Sequence, residues 1–113
     1  CSDVIEHLSN PNLLIEYIKP FMNKNGIVIF STPERDKLRG IDCNHSPNPF
    51  HVREWNKDEF KQYIESHGFE VLNHFLQFPV KFNLSKFFFN EIIKRAISFK
   101  PLKYNQILIA KMN

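Results

Sequence analysis

A run of four apolar residues, Ile27-Val28-Ile29-Phe30, stands between Gly26 and Pro33 and narrows the folds open to this chain more than any other feature. It is continuous rather than alternating and rich in β-branched residues, which marks a strand covered on both faces, as in a parallel sheet layered with helices. Residues 27–31 therefore read as a parallel strand. The segment ahead of them reads as a helix. Asn10 can cap free N–H groups, Pro11 suits a first turn, and Leu13, Leu14, Tyr17, Ile18 and Phe21 recur at helical spacing. Pro20 ends or kinks that helix, since it lacks an N–H and biases Lys19 away from helical angles.

Beyond the strand, residues 32–50 hold Pro33, Pro47, Pro49 and Gly40 among polar residues with no usable period, so this stretch reads as a long loop. Loops of that length are usually functional or disordered. A second helix is expected over 56–67: Asn56 and Glu59 have the spacing of a capping box, and Phe60, Tyr63, Ile64 and His67 share a face. Gly68 suits a left-handed stop. Residues 69–78 then read as a strand, 84–99 as an amphipathic helix carrying Leu84, Phe88, Ile92 and Ala96 on one stripe, and 107–110 as a final strand. Helix and strand in alternation give an α/β class.

Composition closes off several classes. With 113 residues, 42% hydrophobic and 14% aromatic, the chain can pack a core and is not a disordered segment. Its net charge of +3 comes from basic residues scattered among acids, which gives no strong nucleic-acid signal while leaving anionic substrates open. Cys1 and Cys43 have neither zinc-ribbon spacing nor the density of a disulfide scaffold, so a cytoplasmic protein is expected. No run of eighteen apolar residues and no signal-peptide pattern occurs.

Three segments carry a resemblance in their order and spacing: Cys-Ser-Asp-Val-Ile-Glu-His-Leu at 1–8, Asn-Gly-Ile-Val-Ile-Phe-Ser-Thr-Pro at 25–33, and His-Val-Arg-Glu-Trp at 51–55. Together they resemble the C-terminal half of a class I S-adenosylmethionine-dependent methyltransferase. The resemblance implies the C-terminal part of a Rossmann-like sheet: the fifth, seventh and sixth strands and the tip of the fourth, with flanking helices and residues 79–104 as a helical insertion before the last strand. It spans nearly the whole chain, 1–113. One family hallmark is missing, the G-x-G-x-G loop that grips the methyl donor; Gly26, Gly40 and Gly68 stand alone. The expectation is that this chain does not hold S-adenosylmethionine or act by itself. Its bare strand edge is expected to take up a missing N-terminal half or a second copy.

Asp3, Glu6 and His7 stand at i, i+3 and i+4, which on a helix would put two carboxylates and an imidazole on one face, a set able to chelate a divalent cation. The spacing resembles the E-x-x-E-H ligands of metal-dependent O-methyltransferases, with Asp3 in place of the first Glu. In that resemblance His51, just ahead of Glu54-Trp55, adds a further ligand. A cation there would lower the pKa of a substrate hydroxyl and orient it. His7 and His51 are thus the candidate catalytic residues. Without a metal, His7 reads as a general base or as a hydrogen-bonding wall, with Asp3 and Glu6 favouring a helix N-terminus.

The resemblance places Cys1, Ser2 and Asp3 beside the donor. Arg35, Arg39 and Arg53 are candidate contacts to an anionic group on the substrate, or else solvated loop arginines; Arg53 is also a partner for Glu54 or Glu59. Trp55 reads as a core anchor. His45, His67 and His74 show no ligand spacing. Ser-Thr-Pro-Glu-Arg-Asp at 31–36, with Arg39-Gly40 and Asn48-Pro49-Phe50-His51, resembles methyltransferases of cell-surface polysaccharide and glycan assembly, which implies O-methylation of a small molecule or glycan precursor as the leading function. RNA 2′-O-methylation shares the metal constellation but lacks support from charge, and a non-catalytic partner module keeping half of the fold is the rival from another class. For the helix at 84–99, packing against the sheet is the first reading, ahead of a lid, a dimer face or a membrane contact.

Overall fold

The computed structural model describes residues 1–77 and 105–113, with Ile93 alone between them; the amphipathic helix expected at 84–99 and the insertion at 79–104 lie outside the described residues. Three strands form one antiparallel sheet: β1 (Ile27–Pro33), β2 (Phe69–Gln77) and β3 (Asn105–Met112), in the order β1-β3-β2. Among the described residues three α-helices accompany them: α1 (Pro11–Ile18), α2 (Arg35–Arg39) and α3 (Lys57–Ser66). The class is mixed α/β.

Local chemistry explains most boundaries. The side chain of Asn10 accepts from the Asn12 N–H ahead of Pro11, and α1 gives way at Lys19-Pro20 to a short 3-10 turn. Asn56 and Glu59 complete a reciprocal capping box on α3, and Gly68 follows with φ +84. α2 departs from the loop expected over 32–50. The side chain of Glu34 accepts from the Lys37 N–H, Asp36 lies in the first turn and Arg39 in the last, and Gly40 at φ +100 ends the helix.

The helices cover one face of the sheet. Phe30, Leu108, Ala110 and Phe69 from the strands meet Phe60 and Ile64 of α3, with Trp55, Ile5 and Ile15 completing the core. Phe60 packs edge-on against Phe30 at 6.1 Å, and Trp55 stacks on Tyr63 at 5.6 Å, so Trp55 is the anchor expected. Two expectations need correction. β1 is not buried on both faces: Val28, Phe30 and Thr32 face the helices, while Ile27 and Ile29 on the other face are exposed. Nor does the apolar stripe read for α1 all turn inward. Ile15 is its core residue, flanked by the partly buried Leu14 and Ile18, whereas Leu13, Tyr17 and Phe21 are exposed.

Parallel pairing of β1 is confined to the chain start. Ser2 bridges Ser31 in parallel, with the Asp3 N–H donating to Ser31 O and the Ser31 N–H to Cys1 O. On its other side β1 is antiparallel to β3 along its length, Phe30 opposite Leu108. Among the described residues no helix is long and apolar enough to cross a membrane.

Candidate active site

Residues 1–3 run beside β1, and the chain then turns through a 3-10 helix at Ile5–His7. This corrects the single helical face expected for Asp3, Glu6 and His7. Asp3 lies outside the turn with φ +51, and its carboxylate accepts from Ser2 Oγ, Ser31 Oγ and Asn105 Nδ2. Glu6 and His7 take the remaining set elsewhere.

The backbone carbonyl of Glu6 accepts from the N–H groups of Val52 (2.8 Å) and Arg53 (3.2 Å), which clamps the loop after α2 onto the turn. That clamp brings His51 to His7, the two rings perpendicular with centroids 4.7 Å apart. One ligand atom from each of Glu6, His7 and His51 lies within 4.8 Å of the others. Glu6 is buried. Thr32 Oγ1 donates to its Oε2 at 3.0 Å, and His7 Nε2 stands 3.9 Å from its Oε1. Burial pushes the Glu6 carboxyl above its ordinary range, Asp3 adds to the rise, and the hydrogen bonds from its own backbone and from Thr32 offset part of it.

Both imidazoles are held by their Nδ1 atoms. His7 Nδ1 lies 2.7 Å from Phe50 O, an acceptor only, so this nitrogen carries the proton and donates. His51 Nδ1 lies 2.6 Å from Glu54 Oε1. In the neutral rings each Nε2 therefore keeps its lone pair. A buried carboxylate with one hydroxyl donor, beside two such imidazoles, is chemically able to hold a divalent cation or to accept a proton. His7 is exposed enough for a ligand to reach it, with 42% of its side chain accessible.

The three arginines separate. Arg35 makes a bidentate pair with Glu59 at 2.7 and 2.9 Å, and Arg39 another with Glu54 at 2.9 and 3.1 Å. Their donors are taken up within the fold, which also corrects the pairing of Arg53 with Glu54 or Glu59. Arg53 is exposed instead, its guanidinium 5.9 Å from the Trp55 ring, on an open groove lined by Tyr63, Gln62 and Asn44. Cys1, Ser2 and Asp3 are exposed. His45 offers its carbonyl to Cys43, His67 bonds Tyr63 O, and His74 contacts Gln106, so none of these joins the site.

Two residues escaped the sequence reading. Glu54 is fully buried and receives Arg39, Ser46 and His51; its signal was the His51-to-Glu54 spacing of three outside any helix. Gln106, on β3, donates from Nε2 to Pro33 O (3.2 Å) and Trp55 O (2.9 Å), tying together the two segments that leave the sheet toward the site. Nothing in the sequence flags it.

A sequence model of a methyltransferase domain matches residues 1–74, the span that contains β1, α3 and every member of the Glu6, His7 and His51 cluster. No curated protein matches. The match carries a transferase activity for the intact protein and, for the family in general, S-adenosylmethionine as methyl donor. The described residues do not fit a donor cradle of the glycine-rich kind: Gly26, Gly40 and Gly68 stand singly, at a turn or just past a helix end, and residues 1–3 make a single parallel bridge to β1. With the match covering more than half of its residues, this chain belongs to the methyltransferase domain family.

Proposed function

We propose that residues 1–113 are the acceptor-facing, C-terminal portion of an S-adenosylmethionine-dependent O-methyltransferase, with β1, β3 and β2 as the fifth, seventh and sixth strands of the family sheet and residues 1–3 as the tip of the fourth. The observation that carries the reading is convergence: Glu6 and His7, in the turn after the strand tip, meet His51 from a loop more than forty residues away. In this reading Glu6, His7 and His51 hold a divalent cation. When bound, such a cation lowers the pKa of an acceptor hydroxyl. The chain's own residues do the rest. Thr32 fixes one oxygen of Glu6, the Phe50 carbonyl and Glu54 hold the imidazoles by Nδ1, and Arg53 offers a charge to an acidic group on a small-molecule or glycan precursor acceptor. Without a cation, His7 Nε2 accepts the hydroxyl proton as general base.

The exposed Ile27 and Ile29, and a β1 edge met among the described residues only by residues 1–3, support docking of the donor-gripping half of the domain or a second copy. Titration of the intact protein with Mn²⁺, followed by electron paramagnetic resonance, tests the cation reading. Wild type is expected to bind Mn²⁺, and H7A, which removes a ligand itself, to bind it more weakly by at least the roughly 100-fold that loss of a ligand's supporting partner brings. Equal binding by wild type and H7A overturns it. Methyl transfer that survives a chelator but is lost in H7A selects the general-base form.

A further inference from the structure

We propose that Glu54 is the positioning residue of His51: its carboxylate holds the ring proton on Nδ1 and so makes Nε2 the nitrogen that meets cation or substrate. The inference rests on the role given to His51 above, and it names the group that sets that role. Glu54 Oε1 accepts from His51 Nδ1 at 2.6 Å, Ser46 Oγ at 2.7 Å and Arg39 Nη2 at 2.9 Å, and Oε2 accepts from Arg39 Nε at 3.1 Å. A carboxylate serving four donor contacts has no proton to give, so the imidazole nitrogen is the donor. Water does not compete, since the Glu54 side chain is 0% exposed and that of His51 12%.

The carboxylate is itself fixed. The Arg39 guanidinium grips both oxygens through Nε and Nη2, and α2 sets Arg39 by its last turn, where Gly40 ends the helix. Ser46 ties the middle of the following loop to the same oxygen. The stretch from α2 to His51 is thus folded around one buried charge whose outlet is the imidazole. His7 is held in the same sense but by a neutral carbonyl, Phe50 O. An anionic acceptor raises the basicity of the ring it holds more than a neutral one does.

Long-range ¹H–¹⁵N imidazole spectra of the intact protein test this directly. In wild type, His51 is expected as the single tautomer protonated on Nδ1. E54Q, which keeps the shape but loses the charge, is expected to show a mixture and to bind Mn²⁺ roughly 10- to 100-fold more weakly, the usual effect of losing such a supporting partner. R39K keeps a charge beside Glu54 without the fork and is expected to fall between the two. The proposal is overturned if wild-type His51 carries its proton on Nε2, a result that needs no variant to fold. It is overturned equally if E54Q keeps both tautomer and Mn²⁺ affinity. Failure of the underlying reading looks different: H51A binding Mn²⁺ as tightly as wild type removes His51 from the site, whatever its tautomer.

Discussion

Glu6 and Glu54 are buried to almost the same extent, each beside one of the two histidines, Glu6 by His7 and Glu54 by His51, and their carboxyls shift in opposite directions. Burial pushes both carboxyls up. At Glu54 the donors from Arg39, Ser46 and His51 outweigh it and hold the group at about 2. At Glu6 the side-chain donor is one hydroxyl, Thr32, and burial wins. Burial alone therefore does not say what a carboxylate is for; the count of donors does. Glu54 is the charge around which a loop folds, whereas Glu6 is left with capacity for a cation or a proton.

The largest expected effect comes from removing each in turn. E54A strands the half-buried Arg39 guanidinium and the Ser46 hydroxyl, and is expected to cost about 3–5 kcal/mol in urea unfolding of the intact protein, as for one partner lost from a buried pair. E6Q removes a buried charge while leaving an oxygen for Thr32, and is expected to stay within about 1 kcal/mol of wild type in cation-free buffer, on either side of zero. An E6Q penalty as large as that of E54A would mean that Glu6 is already satisfied, and the contrast between the two would collapse.

The sequence made this contrast half visible. Periodicity and caps located α1, α3 and the strands because those signals are local: Asn10-Pro11, the Asn56 and Glu59 pair and Gly68 each act within a few residues. The same reading placed His7 and His51 among the site residues from their motifs. It failed where long-range pairing decided the outcome. α2 was lost because Pro33, Gly40 and the polar run signalled a loop, while its cap is the unusual Glu34 and its last arginine is anchored on Glu54, fifteen positions on. Asp3 was assigned to a helix face because spacing cannot show that its own backbone sits at positive φ. Exposure of Ile27 and Ile29 was missed since a continuous apolar run is silent on which face the described helices cover.

His74, half-buried on β2, shows what happens when partners are scarce for a base rather than an acid. Gln106 spends its amide N–H groups on Pro33 O and Trp55 O, which fixes its oxygen toward His74, so His74 Nε2 donates and Nδ1 finds no partner among the described residues. Burial pushes the His74 imidazole below its ordinary value, the bond to Gln106 opposes this, and Lys57 and Lys61 push the same way as burial. The unfolded chain therefore takes up the proton first. The contribution of neutral His74 is complete above about pH 6.5 and is lost as pH falls from there toward the folded-state value. Urea midpoints at pH 7.5 and 5.5 are expected to fall further for wild type than for H74N. An equal fall in both would place the acid sensitivity elsewhere.

The smallest effects sharpen the point about burial. Arg35–Glu59 is bidentate like Arg39–Glu54, though through Nη1 and Nη2 rather than Nε and Nη2, and Glu59 is 45% exposed where Glu54 is 0%. E59Q keeps one oxygen for the Asn56 N–H of the capping box but loses the charge and one of the two acceptors of Arg35, and is expected to cost about 0.5 kcal/mol and less at high salt. N56A removes the cap of α3 and a contact to Asp36, for about 1 kcal/mol with little salt dependence. The salt response of E54A, compared with E59Q, then carries the test. A buried charge is screened far less than an exposed one, so 1 M NaCl should erase most of the E59Q penalty and leave that of E54A standing. Were both to vanish together, the Arg39–Glu54 pair would be behaving as a surface pair, and a solvated carboxylate could not hold His51 in one tautomer.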